Sequence, residues 1–229
     1  MFTFWEGRMP DYIRLCMKTW KVQFTVLDYD NIHNYTDLPI EKLKRFTLPQ
    51  QADCVRVHVL RDQGGYWMDA DTIMITGELP DTDMVGDPQT RENTIGLLYS
   101  EPNSEMFRKW AQYQDEIING ESTPTHWAVM GNAFTDPYVK SHENVRIYPV
   151  RNFWPETYMI KDNCPRYNKY LRFYFEEHHS LSDIELTDIL MLHNSWTPDW
   201  YKRLSTEEVL EHNCTLSNIL REKINAIKT

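Results

Sequence analysis

The segment spanning residues 50–75 constrains the fold more strongly than any other part of the chain. In the stretch QQADCVRVHVLRDQGG, the apolar residues Ala52, Val55 and Val59 share one helical stripe. The Gly-Gly pair that follows is typical of a helix C-terminus. The aromatic and apolar run at residues 66–68 then predicts a buried strand. A helix that leads directly into a buried strand is a repeating unit of α/β folds.

Helices and strands alternate along most of the remaining chain. The first residues predict a β-α-β unit with Pro10 at the start of its helix. Near the other end, Ser205 with Glu208 three residues later matches a capping box, which predicts the start of one C-terminal helix. We therefore expect a single α/β domain over residues 1–229, with a mostly parallel central sheet flanked by helices. The other predicted strands lie at residues 2–5, 22–27, 73–75, 94–99, 145–148 and, in part, 184–192, and the other predicted helices at 10–20 and 104–118.

Charge and cysteine content narrow the classes of function. The 229 residues carry a formal net charge of -10, which argues against binding to nucleic acid, because phosphate backbones require a basic surface. The cysteines Cys16, Cys54, Cys164 and Cys214 form no C-x-x-C pair, which predicts reduced thiols and a cytoplasmic protein. No apolar run approaches the roughly 18 residues of a membrane-spanning helix. We expect a protein that is free in the cytoplasm or peripheral on the cytoplasmic face of the membrane.

Two aspartates follow the predicted strand at 66–68. Asp69 and Asp71 are separated by one residue, so in extended backbone their side chains point to the same side. Two carboxylates this close favour a cation between them, and oxygen ligands suit Mg²⁺ or Mn²⁺. Asp-x-Asp also occurs at residues 28–30 and 81–83, so only the context of the helix and strand makes this pair a candidate metal site.

The helix before these aspartates carries an acid and a base. Asp53 and Arg56 are three residues apart and lie on one helical face. Arginine can donate two parallel hydrogen bonds to phosphate or sugar oxygens, and aspartate can accept from sugar hydroxyls. The same spacing also fits an ordinary surface ion pair. Both interpretations stay open from the residues alone.

Four segments together resemble a known family. They are FTFWEGRMPDYIRLCMKTWK, VLDYDNIHNYTDLP, ADCVRVHVLRDQGGYWMDADTIM and the late LHNSW. In this order they are similar to the capsular polysaccharide synthesis family and to the wider group of glycosyltransferases with a DXD sugar-binding region. The resemblance implies a GT-A type nucleotide-sugar-binding fold with retaining chemistry. It also implies Mn²⁺ or Mg²⁺, a nucleotide-sugar donor, with UDP-sugar favoured, and a saccharide acceptor.

The resemblance also implies roles at particular positions. Trp5 would flank the uracil-like base of the donor. Asp53 and Arg56 would hold the sugar, while Asp69 and Asp71 would hold the metal and the ribose-diphosphate. Of these, Asp53, Arg56 and Asp71 are the candidate catalytic residues.

The resemblance also implies roles for residues of the late segment LHNSW and for three glycines. His193 would complete the metal shell, and Ser195 and Trp196 would touch the phosphates. Each of the three ring-bearing residues also has a structural alternative. Trp5 could pack in the core, His193 could be a buried polar residue whose hydrogen bonds are satisfied, and Trp196 could cover an edge of the sheet. The glycines in the matched motifs are Gly7, Gly64 and Gly65.

Two other functions fit parts of the sequence. YWMDADTIMI also matches the strand and Asp-x-Asp-x-Thr pattern of haloacid-dehalogenase-type phosphatases, with Asp69 as nucleophile and Asp71 as general acid. A β-α-β unit precedes this strand, whereas in those phosphatases the strand normally opens the chain. A non-catalytic module that binds sugar nucleotides is the third alternative.

Overall fold

The computed structural model describes residues 1–87, 89–149, 154–184 and 189–228. The chain divides into two compact units, each made of separate stretches of sequence. The single domain expected over residues 1–229 stays a prediction. Unit 1 contains Met1–Gly7, Phe24–Asp69 and Asp81–Val150, and unit 2 contains Arg8–Gln23, Ala70–Pro80 and Arg151–Thr229.

Helices and strands alternate in the structure as the sequence predicts. Most predicted elements are present with boundaries shifted by one to three residues. The strands are β1 (Phe2–Phe4), β2 (Thr25–Leu27), β3 (Gly65–Met68), β4 (Thr72–Met74), β5 (Met84–Gly86), β6 (Asn93–Ser100), β7 (Ile147–Pro149) and β8 (Ile189–Met191). The α-helices are α1 (Asp11–Lys18), α2 (Ile40–Leu43), α3 (Leu48–Gln63), α4 (Glu105–Asn119), α5 (Asn132–Ser141), α6 (Pro155–Met159), α7 (Arg166–Leu171), α8 (Asp199–Lys202), α9 (Thr206–Glu211) and α10 (Thr215–Lys228).

A six-stranded sheet forms the centre of unit 1. Its strand order is β2-β1-β3-β6-β5-β7. Only β6 runs antiparallel to its neighbours, and the remaining neighbouring pairs are parallel. The predicted α/β class and mostly parallel central sheet flanked by helices are therefore confirmed.

Helix α3 is the central helix of unit 1. It starts with a capping box between Thr47 and Gln50 and packs against β1, β3, β6 and α4. It ends at Gly64, whose φ of 66° favours glycine and whose added Cβ would lie 2.5 Å from Cδ of Pro102. Every residue from Asp53 to Leu60 is buried. The single apolar stripe seen in the sequence therefore understates how deeply this helix lies in the core.

Unit 2 contains the short antiparallel ladder β4–β8. Thr72 pairs with Met191 and Met74 with Ile189. Helix α1 packs against β4, α9 and α10. The indole Nε1 of Trp20 donates to the carbonyl of Thr72 at 2.8 Å, and Thr19 Oγ1 accepts from the amide of Met74 at 2.8 Å. These contacts fix β4, and through the ladder they fix the residues that follow β8.

The C-terminal region corrects one expectation. The predicted capping box is confirmed, because Ser205 Oγ accepts from the Glu208 amide at 3.2 Å. The single helix predicted after it is wrong, since α9 ends at Glu211, the backbone of the following His212 is extended, and α10 starts only at Thr215. Of the strand expected at 184–192, β8 is observed, and residues 185–188 lie outside the described residues. Strand β5 and helix α5 are present in the structure but were not predicted from the sequence.

The structure also bears on the cysteines and on the question of membrane-spanning helices. All four cysteines are free thiols, as predicted, and Cys16, Cys54 and Cys214 are buried. In the parts of the chain that the structure describes, no helix combines the length and the apolar character needed to cross a bilayer.

Candidate active site

The acid and base of α3 meet the first aspartate of the Asp-x-Asp segment inside unit 1. Nη2 of Arg56 lies 3.0 Å from Oδ1 of Asp53 and 3.3 Å from Oδ1 of Asp69. Only 6% of the Arg56 side chain and 11% of the Asp53 side chain are exposed, against 30% for Asp69. The alternative of a surface ion pair is therefore wrong. Three residues from two sequence motifs form one buried ionic cluster.

Neighbouring groups hold Arg56 in a single position. Its Nη1 donates to the carbonyl of Ile95 on β6, and its Nε donates to the carbonyl of Ala52 at 3.4 Å. The guanidinium also lies 5.2 Å from the ring centre of Trp67, a favourable cation–π distance. Trp67 Nε1 in turn donates to Asp69 Oδ1 at 2.8 Å. The buried charge of Arg56 is thus both neutralised and hydrogen-bonded, as burial of an ion requires.

Burial raises the pKa of Asp53 to about 7. The positive charge of Arg56 opposes this rise, while the negative charge of Asp69 adds to it. A carboxyl with a pKa near neutrality can exchange a proton with a hydroxyl group bound beside it. Asp53 is therefore chemically distinct from an ordinary surface aspartate.

Gly131 makes room for this carboxylate. A Cβ at this position would lie 3.2 Å from Oδ2 of Asp53 and 2.5 Å from Cδ1 of Ile95. Gln114 bridges the same region, because its Nε2 donates to the carbonyls of Asp53 at 3.1 Å and Met130 at 2.6 Å. The stretch VMGNAF around Gly131 thus has a close-packing role beside the cluster.

The second aspartate of the segment lies in unit 2 beside the late family segment. The amide of Asn194 donates to Oδ2 of Asp71 at 2.7 Å, and the amide of Leu192 donates to the Asp71 carbonyl at 3.1 Å. The Asn194 side chain accepts from the hydroxyl of buried Tyr12 at 2.6 Å. The β4–β8 ladder thereby joins two segments that are about 120 residues apart in the sequence.

An arginine that the sequence did not reveal lies in this second group. Nη2 of Arg166 lies 2.8 Å from Nε2 of His193. The guanidinium is 3.5 Å from the ring centre of Trp154 and 5.4 Å from that of Trp196. Nε of Arg166 is buried, has no hydrogen-bond partner among the described residues and lies 3.6 Å from Oε1 of Glu156. Arg166 is therefore held by stacking and keeps unused donor capacity.

Two neighbours of Arg166 have displaced pKa values. Burial raises the pKa of Glu156 to about 7, against the opposing charge of Arg166. Burial and then the positive charge of Arg166 lower the pKa of His193 to about 3. The imidazole of His193 is thus neutral, and its Nε2 accepts from Arg166. No local sequence pattern marks Glu156 or Arg166, because helix α6 and the start of α7 are short and polar.

The remaining predicted residues occupy turns and partly exposed positions. Trp5 is half-buried, and its amide donates to the Leu27 carbonyl at 2.9 Å. Its Nε1 is buried and has no hydrogen-bond partner in the part of the chain that the structure describes. Ser195 is exposed, and Trp196 is half-buried with its ring 4.1 Å from that of His193. The predicted glycines all have positive φ, which explains their residue type through the backbone: Gly7, Gly64 and Gly65.

The donor atoms fit a hard metal ion in part. Both contacts described for Asp69 use Oδ1, which leaves the other oxygen of a partly exposed carboxylate available. Binding of a metal through Nε2 of His193 would require Arg166 to give up its hydrogen bond. Among the described residues no three histidine, cysteine, aspartate or glutamate side chains form a metal-binding group. The metal site of Asp69, Asp71 and His193 stays a prediction.

Comparison with known proteins gives one family match, and it covers most of the chain. No curated protein matches the chain. A family model described as capsular polysaccharide synthesis protein matches residues 1–222. Membership of this family suggests a glycosyltransferase-like role. With all but the last seven residues inside the match, the chain belongs to the capsular polysaccharide synthesis protein family.

Proposed function

We propose that this protein is a metal-dependent hexosyltransferase that moves a sugar from a nucleotide-sugar, of the UDP type, to a saccharide acceptor during capsular or surface polysaccharide synthesis. The observation that carries the proposal is the buried cluster in which Arg56 joins Asp53 and Asp69. A cluster of this kind, in a chain of this family, suits recognition of a sugar carrying many hydroxyl groups. The six-stranded sheet with one reversed strand supports a GT-A type fold as part of the same proposal.

The reaction explains why metal ligands belong to the proposal. Breaking a sugar-diphosphate bond places negative charge on the leaving oxygen, and Mn²⁺ or Mg²⁺ supplies a Lewis acid that stabilises it. Asp69 and Asp71 are the residues that would hold this ion, and His193 is a further candidate ligand. Retention of configuration would follow either attack on the leaving-group face or a double displacement through a carboxylate.

The protein groups would act on the substrate itself. Arg56 orients Asp53 and Asp69, so that Asp53 accepts hydrogen bonds from sugar hydroxyls in a fixed direction. Trp5 would flank the base. Arg166, Ser195 and Trp196 would contact the diphosphate, because 32% of the Arg166 side chain is exposed and neutral His193 adds no competing charge. We place the protein in the cytoplasm, free or peripheral at the membrane face.

The metal requirement provides the first test. Transfer or hydrolysis of a panel of UDP- and GDP-sugars should be lost in EDTA and restored by Mn²⁺ or Mg²⁺. Asp69→Asn should lower kcat/KM at least about a hundredfold, which is about 2.7 kcal/mol. Asp30→Asn changes an exposed aspartate in another Asp-x-Asp and is the matched control, with turnover unchanged.

Two results would contradict the proposal. One is full activity in chelator. The other is inhibition by beryllium fluoride without any binding of UDP in calorimetry, because a phosphatase that uses Asp69 as nucleophile would bind this phosphoryl mimic. A protein that binds UDP and Mn²⁺ but turns over no sugar nucleotide in the panel would favour the non-catalytic module.

A further inference from the structure

Unit 1 contains a pocket that the proposed reaction does not use. Its volume is about 660 Å³. None of Asp53, Arg56 and Asp69 lines it. The lining comes from the beginning of β3, the residues just before β5, the end of β6, the first turn of α4, the end of α5 and the residues just before β7. The pocket is thus built from six segments of one unit.

A pair of tyrosines forms an aromatic wall in this pocket. Tyr66 and Tyr99 are direct partners on β3 and β6, with ring centres 4.7 Å apart, and both are half-buried. Trp67 and Asp69 share the other face of β3, as their hydrogen bond shows. Side chains alternate along a strand, so Tyr66 points away from the Asp53–Arg56–Asp69 cluster. The aromatic wall of the pocket therefore lies on the opposite face of the sheet from that cluster.

Charged groups surround the tyrosines and are fixed by their partners. Arg146 pairs with Asp81 and with Asp83, the latter at 2.8 Å, and its guanidinium lies 5.9 Å from the Tyr99 ring centre. The Tyr99 hydroxyl donates to Glu101. With Glu105, the lining holds four carboxylates and one guanidinium. The pocket is negatively charged and rich in hydrogen-bond acceptors.

We propose that this pocket is a saccharide-binding site for a neutral or amino-bearing sugar chain. Half-exposed tyrosine rings offer flat apolar surfaces against which the C–H faces of a pyranose can pack. The carboxylates accept hydrogen bonds from sugar hydroxyls, and Arg146 donates to their oxygens. The excess of carboxylates repels uronic acids and other anionic sugars and attracts protonated amino groups. Acceptors and rings in one pocket thus match a saccharide better than an apolar ligand.

The role of this site in synthesis rests on the proposed function. A growing polysaccharide bound here would stay on the enzyme between transfers, because a tethered acceptor end has a high effective concentration. Loss of the site should then shorten the products while leaving the rate with short acceptors unchanged. Binding itself requires no donor, metal or transfer, so its measurement is independent of the proposed activity.

The test is calorimetry without nucleotide or metal, using cellotetraose, a glucosamine tetramer, tetragalacturonic acid and tetralysine as probes. We expect the first two to bind and tetragalacturonic acid not to bind. Tyr99→Leu should weaken binding at least about tenfold, whereas Tyr99→Phe, which keeps the ring, should bind nearly as well as the unaltered protein. Tyr35→Leu changes a half-buried tyrosine outside the pocket and is the matched control.

Several outcomes would overturn the proposal. They are binding of neither the neutral nor the amino tetramer, stronger binding of tetragalacturonic acid, binding of tetralysine alone, and unchanged affinity in Tyr99→Leu. If Tyr99→Leu lowers the melting temperature, the ring signals of Tyr66 and Tyr99 in the unaltered protein carry the test by NMR. We expect them to shift with cellotetraose, and no shift would also overturn the proposal.

Discussion

Each unit contains a buried carboxylate paired with an arginine that lies beside a tryptophan ring. The two arginines differ in how many of their hydrogen-bond donors have partners inside the protein. In unit 1, Arg56 is almost fully buried and contacts two carboxylates, two backbone carbonyls and the Trp67 ring. In unit 2, Arg166 is 32% exposed, lies 3.6 Å from Glu156 and has an Nε that no described residue hydrogen-bonds.

This difference in bonding indicates different roles for the two arginines. An arginine whose hydrogen bonds are satisfied inside the protein is preorganised, and it can orient carboxylates without a ligand. An arginine with spare donors beside neutral His193 gains most when an anion binds. We therefore expect changes at Arg56 to act first on stability and changes at Arg166 to act first on ligand affinity.

The largest expected effect is on the free energy of unfolding. Arg56→Met leaves Asp53 and Asp69 without their shared cation and should cost about 3–5 kcal/mol. Arg166→Met should cost no more than about 2 kcal/mol, because Arg166 is partly solvated and lies 3.6 Å from one carboxylate, whereas Arg56 neutralises two at shorter distances. Urea denaturation of both variants measures the difference. Equal losses of stability would contradict the proposed difference between the two arginines.

The next effect is a pH dependence of stability. The pKa of Asp53 in the folded protein, about 7, lies above its value near 4 in the unfolded chain. Its stabilising contribution is therefore complete below about pH 4 and is lost as the pH rises through about 7. Asp53→Asn should remove the part of the fall in the free energy of unfolding that comes from this group. That part is at most about 4 kcal/mol in total.

The same measurement applies to the buried carboxyl of unit 2. Glu156 also has a pKa raised to about 7. Glu156→Gln should therefore make the free energy of unfolding depend less on pH over the same range. Unfolding curves at several values between pH 4 and 8 report both variants. An unchanged slope in Asp53→Asn would show that Arg56 keeps this carboxyl ionised throughout.

The smallest expected effect is on nucleotide affinity. Arg166→Lys keeps the charge but loses the planar donor pair, and should weaken UDP binding about tenfold, or about 1.4 kcal/mol. Uridine, which lacks phosphates, should bind as before. The matched control is Arg172→Lys, because Arg172 pairs with Asp162 and Glu177 on the surface. Equal losses for UDP and uridine would place Arg166 away from the phosphates.

Sequence reasoning predicted local structure well wherever the signal lies within one segment. The end of α3 at Gly64, the strand that follows and the capping box at Ser205 all depend on neighbouring residues. The two C-terminal helices were missed because the extended backbone at His212 has no strong breaker beside it. The Asp-x-Asp at 81–83 shows the limit of a motif, because both of its aspartates pair with Arg146.

Local patterns along the chain are enough to predict the α/β class, the order of the main elements and the position of the Asp53, Arg56 and Asp69 motifs along them. Helical spacing placed Asp53 and Arg56 on one face, but it could not say whether that face was covered. Ile95 and Gly131, far away in the chain, decide this by closing over α3. The contacts of Asn194 with Asp71 and of Arg166 with His193 were likewise decided by the tertiary structure. Burial and long-range pairing depend on segments that meet only when the chain folds, so no local pattern contains them.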